Sequence, residues 1–245
     1  MSAPSRPAPL DLSALAGATL AFDLDGTLVD TAPDLIGTLN VILQEEGHGP
    51  LPLAEARPFI GKGARWLLQR GFTEAGHPIS EAAMGGLFDR FIAHYNAHIA
   101  DASAPFPGMV AALETLRGAG ARLVVCTNKR TDLSTHLLEA LNLASLFEAI
   151  VGADAAPAQK PDRRHLETAI ARAGGRPDHA LMVGDAAPDA GAARAAGIPL
   201  ILVSFGYTEV PVAELGADIL IDHYDHLPGA CLQLLPACPR PNETL

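Results

Sequence analysis

The chain has 245 residues, 49% of them hydrophobic and 18% charged, a balance that supports a full core and excludes a disordered polymer. Its formal net charge of -11 argues against non-specific nucleic-acid binding, which needs basic surface to displace counterions. No apolar run approaches a bilayer span, and Cys126, Cys231 and Cys238 lack metal-ligand spacing, so the reading is a cytoplasmic protein with reduced thiols and no membrane partner.

Met1 to Pro9 is rich in Pro, Ala and Ser without an apolar segment, which predicts a disordered tail rather than a signal peptide. Thr19-Leu20-Ala21-Phe22 then reads as a buried strand that stops abruptly at Asp23 and Asp25, with Gly26-Thr27 as a turn. In an α/β sheet, ligands bind at the carboxyl ends of parallel strands. Two carboxylates at alternate positions there repel one another unless positive charge is supplied. A hard divalent cation and a phosphate-bearing substrate would supply that relief. The bland alternative is an ordinary Asp-Gly turn, and the remainder of the chain decides against it.

From Thr31 the pattern becomes helical. Thr31-Ala32-Pro33-Asp34 offers a capping threonine, a first-turn proline and an acid near the helix N-terminus, and Leu35, Leu39, Ile42 and Leu43 follow at helical spacing. A second helix is predicted over 64–70, after Gly61-Lys62-Gly63. A third runs from about Ser80 to Ile99, with Met84, Leu87, Phe88, Phe91, Ile92 and Tyr95 on one face. No strand is predicted between Asp30 and Pro105. The expectation is an inserted all-helical cap domain over 32–104, in a core domain formed by 1–31 and 105–245.

After Pro105 strands and helices alternate. Strands are predicted at Arg122–Cys126, Ala149–Val151, Ala180–Val183 and Pro199–Val203, with an edge strand at Asp218–Ile221, and the residues from Pro236 to Leu245 read as a flexible tail. This rhythm implies an α/β fold built on a doubly wound parallel sheet. Asp23, Asp25, Thr127, Asn128, Lys160, Asp185 and Asp189 all stand at, or just beyond, strand ends. Right-handed crossovers would bring those ends to one sheet edge. Together they read as a site.

Asp23-Leu24-Asp25-Gly26-Thr27, Thr127-Asn128, Lys160-Pro161 and Gly184-Asp185 with Asp189 resemble, in order, the four motifs of the haloacid-dehalogenase-like phosphohydrolase superfamily. The resemblance spans roughly Thr19 to Leu227 and implies a Rossmann-like core with a small helical cap. A finer resemblance, to bacterial phosphoglycolate phosphatases, rests on Phe106-Pro107-Gly108, Val125 to Lys129, Phe205-Gly206-Tyr207 and Ile60 to Ala64. It implies a Mg²⁺-dependent phosphatase (Mn²⁺ being a second candidate ion) that hydrolyses a small phosphate monoester, 2-phosphoglycolate, through an aspartyl-phosphate.

The roles implied are these. Asp23 is the nucleophile and Asp25 the acid–base. Asp23, Asp185 and the backbone carbonyl of Asp25 hold the metal, with Asp189 behind them as a positioning or direct partner. Lys160 balances charge, while Gly26, Thr127 and Asn128 lie at the phosphate. Asp25 separates the chain from the dehalogenases themselves, because a halide needs no protonation and an alkoxide does. One departure is Ala186, where the family often has Ser or Thr, which removes a hydroxyl beside the metal loop.

Lys62 and Arg65 are the cap cations able to meet a substrate carboxylate. His94 and His98 are expected on a solvated helix face, and Trp66 in the core. Phosphatases for other sugar or nucleotide phosphates, pyrophosphatases and phosphosugar mutases share the same motifs. A non-catalytic phosphate- or partner-binding relative is the reading from a different class. Monomer and homodimer both remain open.

Overall fold

The computed structural model describes residues 10–235. The tail readings for Met1–Pro9 and Pro236–Leu245, and Cys238, lie outside the described residues. Strands β1 (Thr19–Phe22), β4 (Arg122–Cys126), β5 (Ala149–Val151), β6 (Ala180–Gly184), β7 (Leu200–Val203) and β8 (Ile219–Ile221) form one parallel sheet in the order β5-β4-β1-β6-β7-β8. β1 is central, pairing Phe22 with Val125 on one side and with Val183 on the other.

Its four residues are all buried, because helices cover both faces and no polar face is needed. Alternation then sorts the side chains. Leu20, Phe22, Leu123, Val125, Leu181 and Val183 join one apolar cluster, with α5 (Met109–Gly118), α6 (Thr131–Ala140) and α9 (Leu227–Leu234). Ala21, Val124, Cys126 and Met182 join the other, under α7 (Arg163–Arg172) and α8 (Ala187–Ala196).

Between β2 (Val29–Asp30) and β3 (Ala104–Pro105) the regular structure is helical: α1 (Ala32–Glu45), α2 (Leu53–Ala56), α3 (Ala64–Glu74) and α4 (Glu81–Ala97). α3 runs one turn beyond its predicted end at Arg70, and α2 is a short helix that the sequence pattern did not announce. Leu39, Leu43, Leu68, Phe72 and Phe91 pack this segment, and the same apolar cluster continues through Leu24, Leu28 and Val29 into the sheet. Among the described residues no helix is long and apolar enough to cross a membrane.

β2 and β3 pair antiparallel, Val29 with Pro105 and Asp30 with Ala104, so the chain leaves for the helical segment and returns side by side. Two expected helix caps serve this junction instead. The Thr31 hydroxyl makes no cap to α1; it donates to Asp25 Oδ1 at 2.7 Å. The Asp34 carboxylate turns away from its own helix and accepts from the amides of Ala102 and Ser103 (3.0 and 2.8 Å) and from the Ser103 hydroxyl (2.6 Å).

Asp34→Ala would strip these donors of their acceptor, and an unsatisfied buried donor costs about 1–3 kcal/mol. Urea unfolding of Asp34→Ala should show a loss of at least that size, with Asp34→Asn, which keeps one acceptor oxygen, falling between it and the wild type.

Candidate active site

The parallel order brings the expected residues to one edge of the sheet. Asp23 and Asp25 follow β1, Thr127 and Asn128 follow β4, Lys160 closes the loop after β5, and Asp185 follows β6, with Asp189 in the first turn of α8. The turn after β1 requires glycine twice over. Gly26 has φ +84°, and a Cβ there would lie 2.5 Å from Asp185 Oδ2 and 2.8 Å from the Tyr207 ring. Gly26 therefore sits against the Asp185 side of the site.

Lys160 organises the buried charge. Its ammonium lies 2.8 Å from Asp23 Oδ1 and 2.7 Å from Asp189 Oδ1. Burial opposes its charge, but Asp189 and Asp23 outweigh burial and hold its pKa above the ordinary lysine value. Asp23, Asp185 and Asp189 each offer a carboxylate oxygen within 4.8 Å of the others. Burial pushes Asp23 up to about 6 against the pull of Lys160, and burial with the Asp189 and Asp23 charges pushes Asp185 well above the carboxylate range.

Three buried carboxylates thus cluster here, two of them paired with one lysine. Asp23 Oδ1, though close to Lys160, is out of line for a hydrogen bond and has no other partner among the described residues. Such a cluster of hard, buried oxygens fits a metal ion.

The loop that carries Asp185 and leads to Asp189 is tied down by hydrogen bonds. Asp185 Oδ1 accepts from the Thr27 hydroxyl at 3.0 Å, and its Oδ2 accepts from the Tyr207 amide at 2.6 Å. Asp189 Oδ2 accepts from the amides of Asp185 and Ala186, both at 3.1 Å. These two bonds organise the loop at Ala186 through a carboxylate, so the hydroxyl absent at that position leaves no gap in the hydrogen bonding. With Oδ1 on Lys160 and Oδ2 on two amides, Asp189 is engaged on both oxygens.

Asn128 and His165 place Lys160. Asn128 Oδ1 accepts from the Lys160 amide at 3.0 Å, and its side-chain amide donates to the Lys160 carbonyl at 3.1 Å. The Thr127 hydroxyl accepts from the Lys129 amide at 3.2 Å. Beside this edge lies a cavity of about 320 Å³, lined from the sheet side by Asp23, Asp25, Thr127, Asn128 and Lys129 and from the helical segment by Lys62, Arg65, Phe88 and Tyr95. Lys160, Asp185 and Asp189 lie outside that lining.

Lys62 lines the cavity and pairs with Glu209, and the Arg65 guanidinium lies 4.8 Å above the Phe88 ring. Trp66, expected in the core, is 39% exposed, and the Lys62 ammonium stands over its ring. His98 is exposed as expected, whereas the His94 ring is half-buried and meets the buried Thr38 hydroxyl at 3.2 Å.

The sequence reading quoted Lys129 within the stretch Val125 to Lys129 but gave it no role. A lysine three residues past a strand end is ordinarily solvated, yet this one is buried and bonds Asp25 and Tyr95. Its place directly after Thr127-Asn128, in a stretch that carries the finer resemblance, was the signal that could have found it. Tyr207 was likewise missed as a site residue. Its hydroxyl donates to Asp30 and accepts from the Ala32 amide, binding the end of β7's following loop to the β2 junction.

His165 is fully buried on α7. Its Nδ1 accepts from the Lys160 amide (3.2 Å) and its Nε2 donates to the Val151 carbonyl (3.2 Å), an arrangement that requires the neutral ring. Burial and the neighbouring Lys160 charge push its pKa down to about 4. The unfolded chain then binds the proton first, so stability is lost as pH falls from about 6.5 towards 4. A drop from the ordinary 6.5 to about 4 corresponds to on the order of 3 kcal/mol. Unfolding free energies at pH 7 and pH 4.5 should fall further for the wild type than for His165→Gln, and equal slopes would remove this role.

Comparison with known proteins gives the family. The model of the family described as haloacid dehalogenase-like hydrolase matches residues 20–203. A phosphoglycolate phosphatase from Caulobacter vibrioides is 57% identical over 231 residues, covering 94% of this chain and 98% of that protein. One from Agrobacterium fabrum is 42% identical over 214 residues, covering 87% and 92%. A crystal structure described as a predicted phosphoglycolate phosphatase from Haemophilus somnus superposes with TM-score 0.81 at 28% identity, covering 87% of this chain and 97% of that one. The chain belongs to the haloacid dehalogenase-like hydrolase family.

Proposed function

We propose that the protein is a Mg²⁺-dependent phosphatase that hydrolyses 2-phosphoglycolate to glycolate and phosphate, and that it works in the cytoplasm. The reaction class is supported by one observation above all: Asp23 and Asp25, from a single turn, both face the cavity while Lys160 and Asp185 stand behind Asp23. The substrate is supported by the 57% identity to the Caulobacter vibrioides phosphoglycolate phosphatase, which spans nearly all of both chains.

In this reading the segment up to Thr31 together with 105–235 is the catalytic core, and residues 32–104 are a cap that closes the cavity and excludes water. Asp23 attacks phosphorus, forming an aspartyl-phosphate as the ester P–O bond breaks. Asp25 gives its proton to the departing alkoxide, then takes one from the water that attacks the aspartyl-phosphate. Thr127 and Asn128, with the turn at Gly26, position the phosphate, and Lys160 offsets charge on Asp23 throughout.

Asp23, Asp185 and the backbone carbonyl of Asp25 would hold Mg²⁺, or Mn²⁺ in its place, which supplies positive charge where phosphate and carboxylate meet. Asp189 keeps Lys160 and the metal loop in position. Lys62 and Arg65 meet the substrate carboxylate from the cavity's other wall.

The test is phosphate release from 2-phosphoglycolate, hexose phosphates, nucleotides and pyrophosphate, with Mg²⁺ and with chelator. Release should be Mg²⁺-dependent, with 2-phosphoglycolate far ahead, and should vanish in Asp23→Asn. A flat profile would retire the substrate, whereas an active Asp23→Asn would retire the mechanism.

Metal binding is read separately from activity. Mg²⁺ at about 100 times its Kd should stabilise the wild type by about 2.7 kcal/mol. A thermal melt should show that gain and lose it in Asp185→Asn.

A further inference from the structure

Asp25 is gripped by two side chains. Thr31 Oγ1 donates to its Oδ1 at 2.7 Å, and the Lys129 ammonium donates to Oδ1 at 3.0 Å and, more loosely, to Oδ2 at 3.3 Å. Two short donors on Oδ1 fix the rotation of the carboxylate and leave Oδ2 as the oxygen with spare capacity. Lys129 is held in turn. Its ammonium donates to the Tyr95 hydroxyl at 2.8 Å and lies 4.5 Å above that ring.

The anchoring is rigid at both ends. Tyr95 belongs to α4, is 1% exposed and stacks on Phe91, whose ring centroid is 6.2 Å away. The Lys129 main chain is pinned by its amide on Thr127 Oγ1 and its carbonyl on the Ala153 amide. Burial opposes the Lys129 charge, but Asp25 and Tyr95 outweigh burial, so the lysine stays cationic.

We propose that Lys129, oriented by Tyr95, is the positioning residue that aims the Asp25 carboxyl at the leaving oxygen of the substrate. The proposal rests on the acid–base reading of Asp25. In the step concerned the ester P–O bond breaks, the P–O bond to Asp23 forms, and the Asp25 proton passes to the departing oxygen. Lys129 takes no part in that transfer; it fixes the direction from which the proton arrives. Tyr95 therefore links the acid on the β1 turn to a helix of the inserted segment.

The readout is leaving-group dependence. A nitrophenolate departs without protonation, whereas an alkoxide needs the acid. Pre-steady-state release of the leaving group would be compared for 2-phosphoglycolate and p-nitrophenyl phosphate, so that only phosphoryl transfer to Asp23 is followed. Asp25→Asn should slow the alkyl ester by about 10²–10⁴-fold and the aryl ester far less. Lys129→Met should show the same bias, with at least a tenfold greater loss on the alkyl ester. Tyr95→Phe should follow in the same direction with a smaller loss.

An unbiased Asp25→Asn would overturn the acid–base reading itself. A biased Asp25→Asn beside an unbiased Lys129→Met would overturn only the proposal. So would a Lys129→Met variant whose KM rises for 2-phosphoglycolate while kcat is kept, since the lysine would then be pairing with the substrate carboxylate. If Lys129→Met does not fold, Tyr95→Phe decides alone: it removes one hydroxyl from an intact ring, and equal rates on both esters relative to wild type would sink the idea.

Discussion

A buried ammonium between two carboxylates is the constraint on which the rest of this structure depends. Lys160 is 4% exposed, and a charge so deep is tolerable only when paired and hydrogen-bonded. Asp23 and Asp189 supply the pairing. They come from opposite sides of the same sheet edge, one after β1 and one from the first turn of α8. Keeping Lys160 there takes a further layer of neutral groups, with Asn128 bonded to both sides of its peptide and the His165 ring beneath. The site is therefore built from its buried cation outward, and removing either carboxylate leaves buried charge without its partner.

The parallel sheet explains why so many chemically distinct groups converge. Every strand of the main sheet points the same way, so each polar residue that ends an apolar run arrives at one rim. β1 sits between β4 and β6, which places Asp23 between Thr127 and Asp185. Chain order and spatial order differ, yet the rim collects them. The helical segment then adds cations and aromatics from the opposite wall of the cavity.

Much of this was legible because buried parallel strands are short apolar runs with abrupt polar ends. The run from Thr19 to Phe22 followed by Asp23 carries strand, direction and rim position in one pattern. Helices α1 and α4 were equally plain from their apolar spacing. β2 and β3 were not, since two residues have no period to detect. Thr31 and Asp34 carried the signature of a helix start, but long-range partners claimed both side chains, and local capping rules cannot register such competition. Lys129 was hidden by a sound default: lysines are almost never buried unless paired, and its partners Asp25 and Tyr95 lie 104 and 34 residues away in the chain. Trp66 erred the other way, an aromatic left partly in solvent beneath a lysine.

The pairing of β2 with β3 has a consequence for how such a molecule can change over time. The two crossings lie at the spacing of adjacent strands, roughly 5 Å. From the sheet's side, everything between them resembles a single closed loop, and the entropy of closing a loop rises only slowly with its length. The helices could lengthen or shorten at their far ends without moving these two crossings, provided that Tyr95 and the apolar residues shared with the sheet are kept. The cavity wall that carries Lys62, Arg65 and Phe88 is then free to diverge, while the buried lysine and its carboxylates stay unaltered.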